Sequence, residues 1–124
     1  MKRLSVPHIV QLHSMLLSQT GGLEGIRDEN LLESAVNAPF QTFSGEYIYK
    51  TIEAKAARLG FSLIKNHPFV DGNKRIGILV MITFLELNSI SLTYTEDELI
   101  ALGLGLADGS IGDKMLLDWI ISHN

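Results

Sequence analysis

Between Thr51 and Lys65 the residues Ile52, Ala56, Leu59 and Leu63 fall three or four apart, the repeat of one face of an α-helix. Helical stretches with recognisable start and stop signals account for most of the chain. Ser5 is placed to cap a first helix, with Pro7 in its opening turn, running to about Gln19. Asp28 caps a second, "ENLLESAVNA", which stops at Pro39. A fourth, from about Asn73 to Leu87, is apolar nearly all round and so belongs at the centre, with the others surrounding it. A fifth runs from near Glu96 to Asp108-Gly109, and a last one turns Met115, Leu116, Trp119 and Ile120 inward. The polar punctuation between them reads differently. "TGGLEG", Thr20 to Gly25, is a loop, since three glycines so close together cannot sustain a helix. "QTFSGEYIY" carries Ser44-Gly45 between short aromatic-bearing arms, a hairpin signal, and "ISLTYT", Ile90 to Thr95, reads as a brief extended piece. The fold class is all-α, about six helices around a buried central one.

Composition narrows this picture. A chain of 124 residues with 46% hydrophobic and 19% charged residues has the makings of one globular domain spanning 1–124. A net charge of -4 argues against a general nucleic-acid binding face. The absence of cysteine excludes disulfides and thiolate metal sites, and a reducing cytoplasm is the simplest location. Lys2 and Arg3 resemble the start of a signal peptide, but Pro7, His8, Gln11 and His13 interrupt the apolar run one would need. "IGILVMITFLEL" is too short to span a bilayer and is closed by Glu86, so no membrane role is expected.

The chemistry is concentrated in "NHPFVDGNKR", residues 66 to 75, immediately before the most apolar helix. The first turn of any helix carries N–H groups without intrahelical partners, here those of Gly72, Asn73, Lys74 and Arg75 or close to them. With the helix dipole they make a site suited to an anion, above all a phosphate. Lys74 and Arg75 add positive charge, and Gly72 allows close approach. Asp71 offers one hard carboxylate, about what Mg²⁺ needs when phosphates and water fill its other positions. His67 brings an imidazole, the side chain suited to taking a proton near neutral pH. Each residue alone has an ordinary reading as a turn, a cap or a surface histidine. Their gathering at one helix mouth outlines a phosphoryl- or nucleotidyl-transfer site and leaves the reaction open.

"HPFVDGNKR" resembles the signature of the Fic/Doc superfamily, His-x-Phe-x-(Asp/Glu)-(Gly/Ala)-Asn-(Gly/Lys)-Arg, and meets every fixed position with His67, Phe69, Asp71, Gly72, Asn73, Lys74 and Arg75. "GGLEGIRDENLLESAV", "PFQTFSGEYIY" and "ADGSIGDKMLLDWI" are similar to the death-on-curing (Doc) toxin branch. The resemblance implies a single-domain helical bundle with a short β-hairpin flap. It implies ATP and Mg²⁺ as cofactors, with His67 as general base, Asp71 holding the metal, and Gly72, Asn73, Lys74 and Arg75 holding the phosphates. Phe69 would anchor the loop by packing, and Pro68 and Val70 would set its shape. Two departures from AMP-transferring Fic enzymes stand out: Lys74 where they usually carry Gly, and Ile78 where they carry a second Arg. Both match the Doc branch, whose type member resembles a kinase that phosphorylates a threonine of elongation factor Tu. The expected function is therefore that of a toxin of a type II toxin-antitoxin system, transferring a phosphoryl group to a Ser or Thr hydroxyl of a translation factor. AMP transfer and a non-catalytic binding module are the alternatives. The expected partner is an antitoxin whose C-terminal helical segment occupies an apolar groove, with a mixed toxin-antitoxin oligomer as a further possibility.

Other signals carry less. Thr42, Phe43, Ser44 and Gly45 correspond to the flap that aligns a target's backbone by strand addition, though a plain surface hairpin fits them as well. Lys55, Arg58 and Lys65 share a stripe that reads first as a solvated face. "TGGLEG" fits the spacing of an autoinhibitory Fic motif but lies in a loop, which points to inhibition in trans. "GLGLADG" is not a dinucleotide fingerprint and "DGNKR" is not a P-loop. His8 and His13, five apart, do not share a helical face, and nothing suggests zinc.

Overall fold

The computed structural model describes residues 1–124. In chain order it contains α1 (Val6–Thr20), α2 (Glu29–Asn37), a 3₁₀ turn (Ala38–Phe40), β1 (Thr42–Phe43), β2 (Glu46–Tyr47), α3 (Ile52–Asn66), α4 (Asn73–Leu87), α5 (Glu96–Asp108) and α6 (Asp113–Ser122). Four helices open on a side-chain cap. Ser5, Asp28, Thr51 and Thr95 accept the backbone N–H of His8, Leu31, Ala54 and Glu98 in turn. The other two, α4 and α6, begin at Gly72 and Gly112 with no side-chain cap. An uncapped start leaves donors free, and in α4 this falls at the polar insert.

The core is built on α3 and α4 together, with α2, α6 and the 3₁₀ turn packed on α3. Ile76, Val80, Met81, Phe84 and Leu85 are buried, and α4 packs against α3, α1 and α5. Fully burying a side chain of this size stabilises the fold by about 1.5–3 kcal/mol. Contact with α3 is the closest: a Cβ on Gly77 would lie 2.6 Å from Ile64 Cγ1 and 2.9 Å from the Gly60 carbonyl oxygen. Any larger residue at position 77 would force apart the two helices that carry the motif.

The all-α class, the helix limits and the hairpin agree with the sequence pattern. Two expectations do not. Ile90 to Thr95 forms no strand; Ile90 N–H donates to the Leu85 carbonyl of α4 and Thr93 N–H to the His123 carbonyl after α6. The Lys55–Arg58–Lys65 stripe is a solvated face only at its Lys65 end. Lys55 is only 2% exposed, donates to the Tyr49 carbonyl at 2.6 Å and lies over the Tyr47 ring. Burial lowers its pKa. Arg58 pairs with Asp113 of α6 at 2.5 Å. Lys55 and Arg58 face the hairpin and α6 rather than water, which periodicity alone cannot reveal. No helix is long and apolar enough to cross a membrane.

Candidate active site

The loop from His67 to Gly72 is folded back on the start of α4 by one side chain. Asn73 accepts the Phe69 N–H at 2.9 Å through Oδ1 and donates through Nδ2 to the Phe69 carbonyl at 3.0 Å. Both residues are buried, Asn73 at 3% and Phe69 at 1% exposure. The pair resembles a rung of sheet made by an amide side chain, and it closes the loop. His67, two residues before Phe69, is thereby held within about 7 Å of that rung by the reach of the chain. The Asn73 side chain, expected on the phosphates, is committed to this closure. What Asn73 presents outward is its backbone N–H.

That N–H and those of Lys74 and Arg75 donate to no protein acceptor. Three parallel donors at the positive end of a buried helix form a cradle for an anion. The Gly72 N–H is not part of it, because it donates to Asp71 Oδ1 at 2.8 Å. Gly72 itself has φ 77°, and a Cβ there would meet Leu17 Cδ2 of α1 at 3.0 Å. The turn thus needs glycine for its conformation and for its contact with α1.

Asp71 is ionised and fixed. Its carboxylate accepts Leu23 N–H at 3.1 Å through Oδ2 and Gly72 N–H through Oδ1, and Arg75 Nη2 lies 3.8 Å from Oδ1. The two backbone hydrogen bonds lower its pKa most, with Arg75 and His13 assisting. Gly22 makes this possible: a Cβ on it would fall 2.7 Å from Asp71 Oδ2, at φ 129°. The carboxylate keeps unused lone pairs and is 45% exposed. No group of three or more His, Cys, Asp or Glu side chains gathers anywhere in the chain. Asp71 therefore fits Mg²⁺ only in the mode where substrate phosphates and water complete the shell.

The imidazole of His67 is exposed and forms no hydrogen bond within the protein. Its backbone is in the left-handed region, φ 50°, ψ 53°, where it terminates α3 just before Pro68. Such a conformation in a non-glycine residue costs about 1–3 kcal/mol and persists only when its surroundings impose it. Arg27 does so, through Nε to the His67 carbonyl at 2.7 Å and Nη2 to the Asn66 carbonyl at 3.1 Å. Around it the loop before α2 pairs with the motif as a short irregular ribbon. Arg27 and Asp28 donate N–H to the Pro68 carbonyl, Val70 donates to the Gly25 carbonyl, and Ile26 bridges Phe69. The glycine-rich stretch that composition marks only as a loop is the bracket of the site.

Of the two cations in the motif, Arg75 is largely engaged by the chain itself, donating to Thr20 Oγ1 at 2.6 Å and the Gly21 carbonyl at 2.8 Å. Lys74 is exposed and unpaired. It borders, with Lys65, Phe61, Ile64, Leu106 and Ile111, a cleft of about 300 Å³. The flap residues form a two-residue turn, Ser44 and Gly45 both at positive φ, between pairs Thr42–Tyr47 and Phe43–Glu46. Phe43 is 77% exposed.

His67, Asp71 and the α4 donors thus belong to one bracketed loop. The Fic/DOC family model matches residues 3–85, two thirds of the sequence and the whole of this site. The chain belongs to the Fic/DOC family. Over 77 residues, 62% of this chain, it is 43% identical to a protein of Mycolicibacterium smegmatis named Toxin Doc, and the match spans 59% of that toxin's length. Over 118 residues, 95% of this chain and 92% of the relative, it is 28% identical to the Protein kinase doc of Escherichia phage P1. The motif and the bracket loop both lie inside the matched residues.

Proposed function

We propose that this protein is the toxin of a toxin-antitoxin pair and transfers the γ-phosphoryl group of ATP to a Ser or Thr hydroxyl of a translation factor such as elongation factor Tu. The observation that carries this reading is the mouth of α4: three free N–H donors with Lys74 exposed beside them, where AMP-transferring relatives leave room with a glycine. The kinase name of the phage relative supports it. So does Ile78, half-buried against the core where a second arginine would be needed for the alternative transfer.

In this reading the terminal phosphate rests on the amides of Asn73, Lys74 and Arg75, with Lys74 neutralising its oxygens. His67 takes the proton of the target hydroxyl, whose oxygen bonds to the γ-phosphorus as the bridge to the β-phosphate breaks and ADP departs. The imidazolium then returns its proton to solvent. Asp71 holds Mg²⁺, which when bound offsets phosphate charge. The flap pairs with the target's backbone and presents the hydroxyl. Phe43, exposed at its tip, is suited to a pocket on the target.

The antitoxin's helical segment is assigned to a groove of about 630 Å³ on the far face of α1, lined by Leu4, Leu12, Met15 and Leu87 together with Lys2 and Arg3. Its apolar floor and basic neighbours, without an acidic residue among them, suit an amphipathic helix bearing acids. The test of the activity is mass spectrometry of a cell extract after induction without antitoxin. One translation protein gaining a phosphate in the wild type, and none with His67→Ala, is the expected result. An unmodified proteome alongside full toxicity would overturn it.

A further inference from the structure

His13 is buried at 3% exposure in the middle of α1, 58 residues from the group it touches. Its Nε2 lies 2.7 Å from the backbone carbonyl of Asp71. A carbonyl can only accept, so Nε2 carries the proton and donates. The ring also stacks on Phe69, centroids 3.8 Å apart and planes 9° apart. One side chain therefore grips the catalytic loop at two points: residue 69 by its face and residue 71 by its edge. Between them these contacts define a single peptide. The Asp71 carbonyl is tied to His13 on one side, and the Gly72 N–H of the same peptide is tied to Asp71 Oδ1 on the other. The next three amides are the free donors of α4.

We propose that His13 is a positioning residue for phosphoryl transfer, setting the Asp71–Gly72 peptide and through it the direction of the α4 cradle and the Asp71 carboxylate. A donor preset toward charge that develops during transfer contributes more to rate than to binding of the ground state. Loss of the His13 bond therefore lowers kcat with little change in the KM for ATP. The kinetic part rests on the reading of the protein as a phosphoryl-transfer enzyme; the hydrogen-bond part does not.

Two variants separate the ring from its proton. His13→Phe keeps an aromatic ring against Phe69 and removes the donor. His13→Gln places an amide N–H near the position of Nε2. The expected result is kcat lowered about 10- to 100-fold in His13→Phe, the usual range for an outer partner that orients a working group, and returned to within about 3-fold of wild type in His13→Gln. His13→Gln should melt near the wild-type temperature, and His13→Phe, which leaves the Asp71 carbonyl without its donor, about 4–12 °C lower while still folded at 25 °C. Nitrogen NMR of the protein without nucleotide supplies the readout independent of activity. Nε2 of His13 should be protonated, and the Gly72 amide signal should move in His13→Phe and return in His13→Gln, because its peptide carries the accepting carbonyl. The proposal is overturned if Nε2 lacks a proton, if the Gly72 signal ignores both variants, or if His13→Phe turns over at the wild-type rate. It is equally overturned if the glutamine variant is as slow as the phenylalanine one while both remain folded. Should the wild type transfer nothing from ATP, the enzymatic reading falls and the nitrogen spectra alone decide whether His13 sets the peptide.

Discussion

Replacing Asn73 by Ala separates the two kinds of residue that the motif holds. Asn73 makes both of its bonds to the backbone of Phe69, and both residues are shielded from water. Truncation orphans one buried N–H and one buried carbonyl, each worth about 1–3 kcal/mol when left unpaired, so about 2–6 kcal/mol is lost in total. For 124 residues the unfolding entropy near 60 °C is about 0.26 kcal/mol/K, and the melting temperature should fall by about 8–23 °C. Lys74→Ala, one position along, removes an exposed side chain with no ion pair and should shift the melting temperature by less than about 2 °C while weakening ATP binding. The assay is thermal unfolding followed by circular dichroism, with nucleotide binding by calorimetry on the same samples. A fall below about 3 °C for Asn73→Ala would refute the reasoning, because it would mean that the loop closes without its amide rung.

Arg27→Ala frees the carbonyls of Asn66 and His67 and lets His67 relax from its left-handed conformation; transfer at saturating ATP should fall about 10-fold, and an unchanged rate would show that the bracket is dispensable. Met15→Glu places a carboxylate in the basic-rimmed groove on α1; a binding assay should show loss of the antitoxin with transfer intact, whereas retained binding would move the antitoxin elsewhere. The pair joining α5 to the end of α6 should make stability depend on pH. The Trp119 carbonyl, then Glu98, raise the pKa of His123 above its ordinary 6.5, so its contribution is complete below 6.5 and fades as pH rises through the higher folded value. Glu98 is lowered from 4.5, chiefly by His123, so its contribution is present above 4.5 and fades as pH falls through the lower folded value. His123→Phe, which keeps the stack on Trp119, should remove the alkaline decline in melting temperature; a decline as steep as that of the wild type would contradict this.

Local chemistry made the elements legible. Ser5, Asp28 and Thr95 cap because a side-chain oxygen reaches an N–H three residues on, a relation contained in a few letters. α4 runs from Asn73 to Leu87 as its apolar run demands, and Ser44-Gly45 turns the hairpin. The motif placed His67, Asp71 and the α4 donors together for the same reason: they are neighbours along the chain. What escaped was every relation across it. Asn73 looked like a phosphate ligand because its partner, Phe69, offers a backbone rather than a letter. Composition marked Gly22 and Leu23 as loop, with no sign that they bracket Asp71 48 residues away. His13 reads along the chain as a break in an apolar run and as no zinc partner for His8, and neither reading reveals its bond to the Asp71 carbonyl. A helical face buries Ile9, His13 and Leu17 at intervals of four; a histidine within such a stripe is the signal that could have drawn attention to it.

The account stands on the transfer itself. Purified protein incubated with Mg²⁺, a translation extract and ATP labelled at either the α or the γ phosphate answers it directly. Label passing to one protein from the γ position alone, and lost with His67→Ala, is the predicted outcome. Label arriving from the α position would contradict the account and assign this site to AMP transfer.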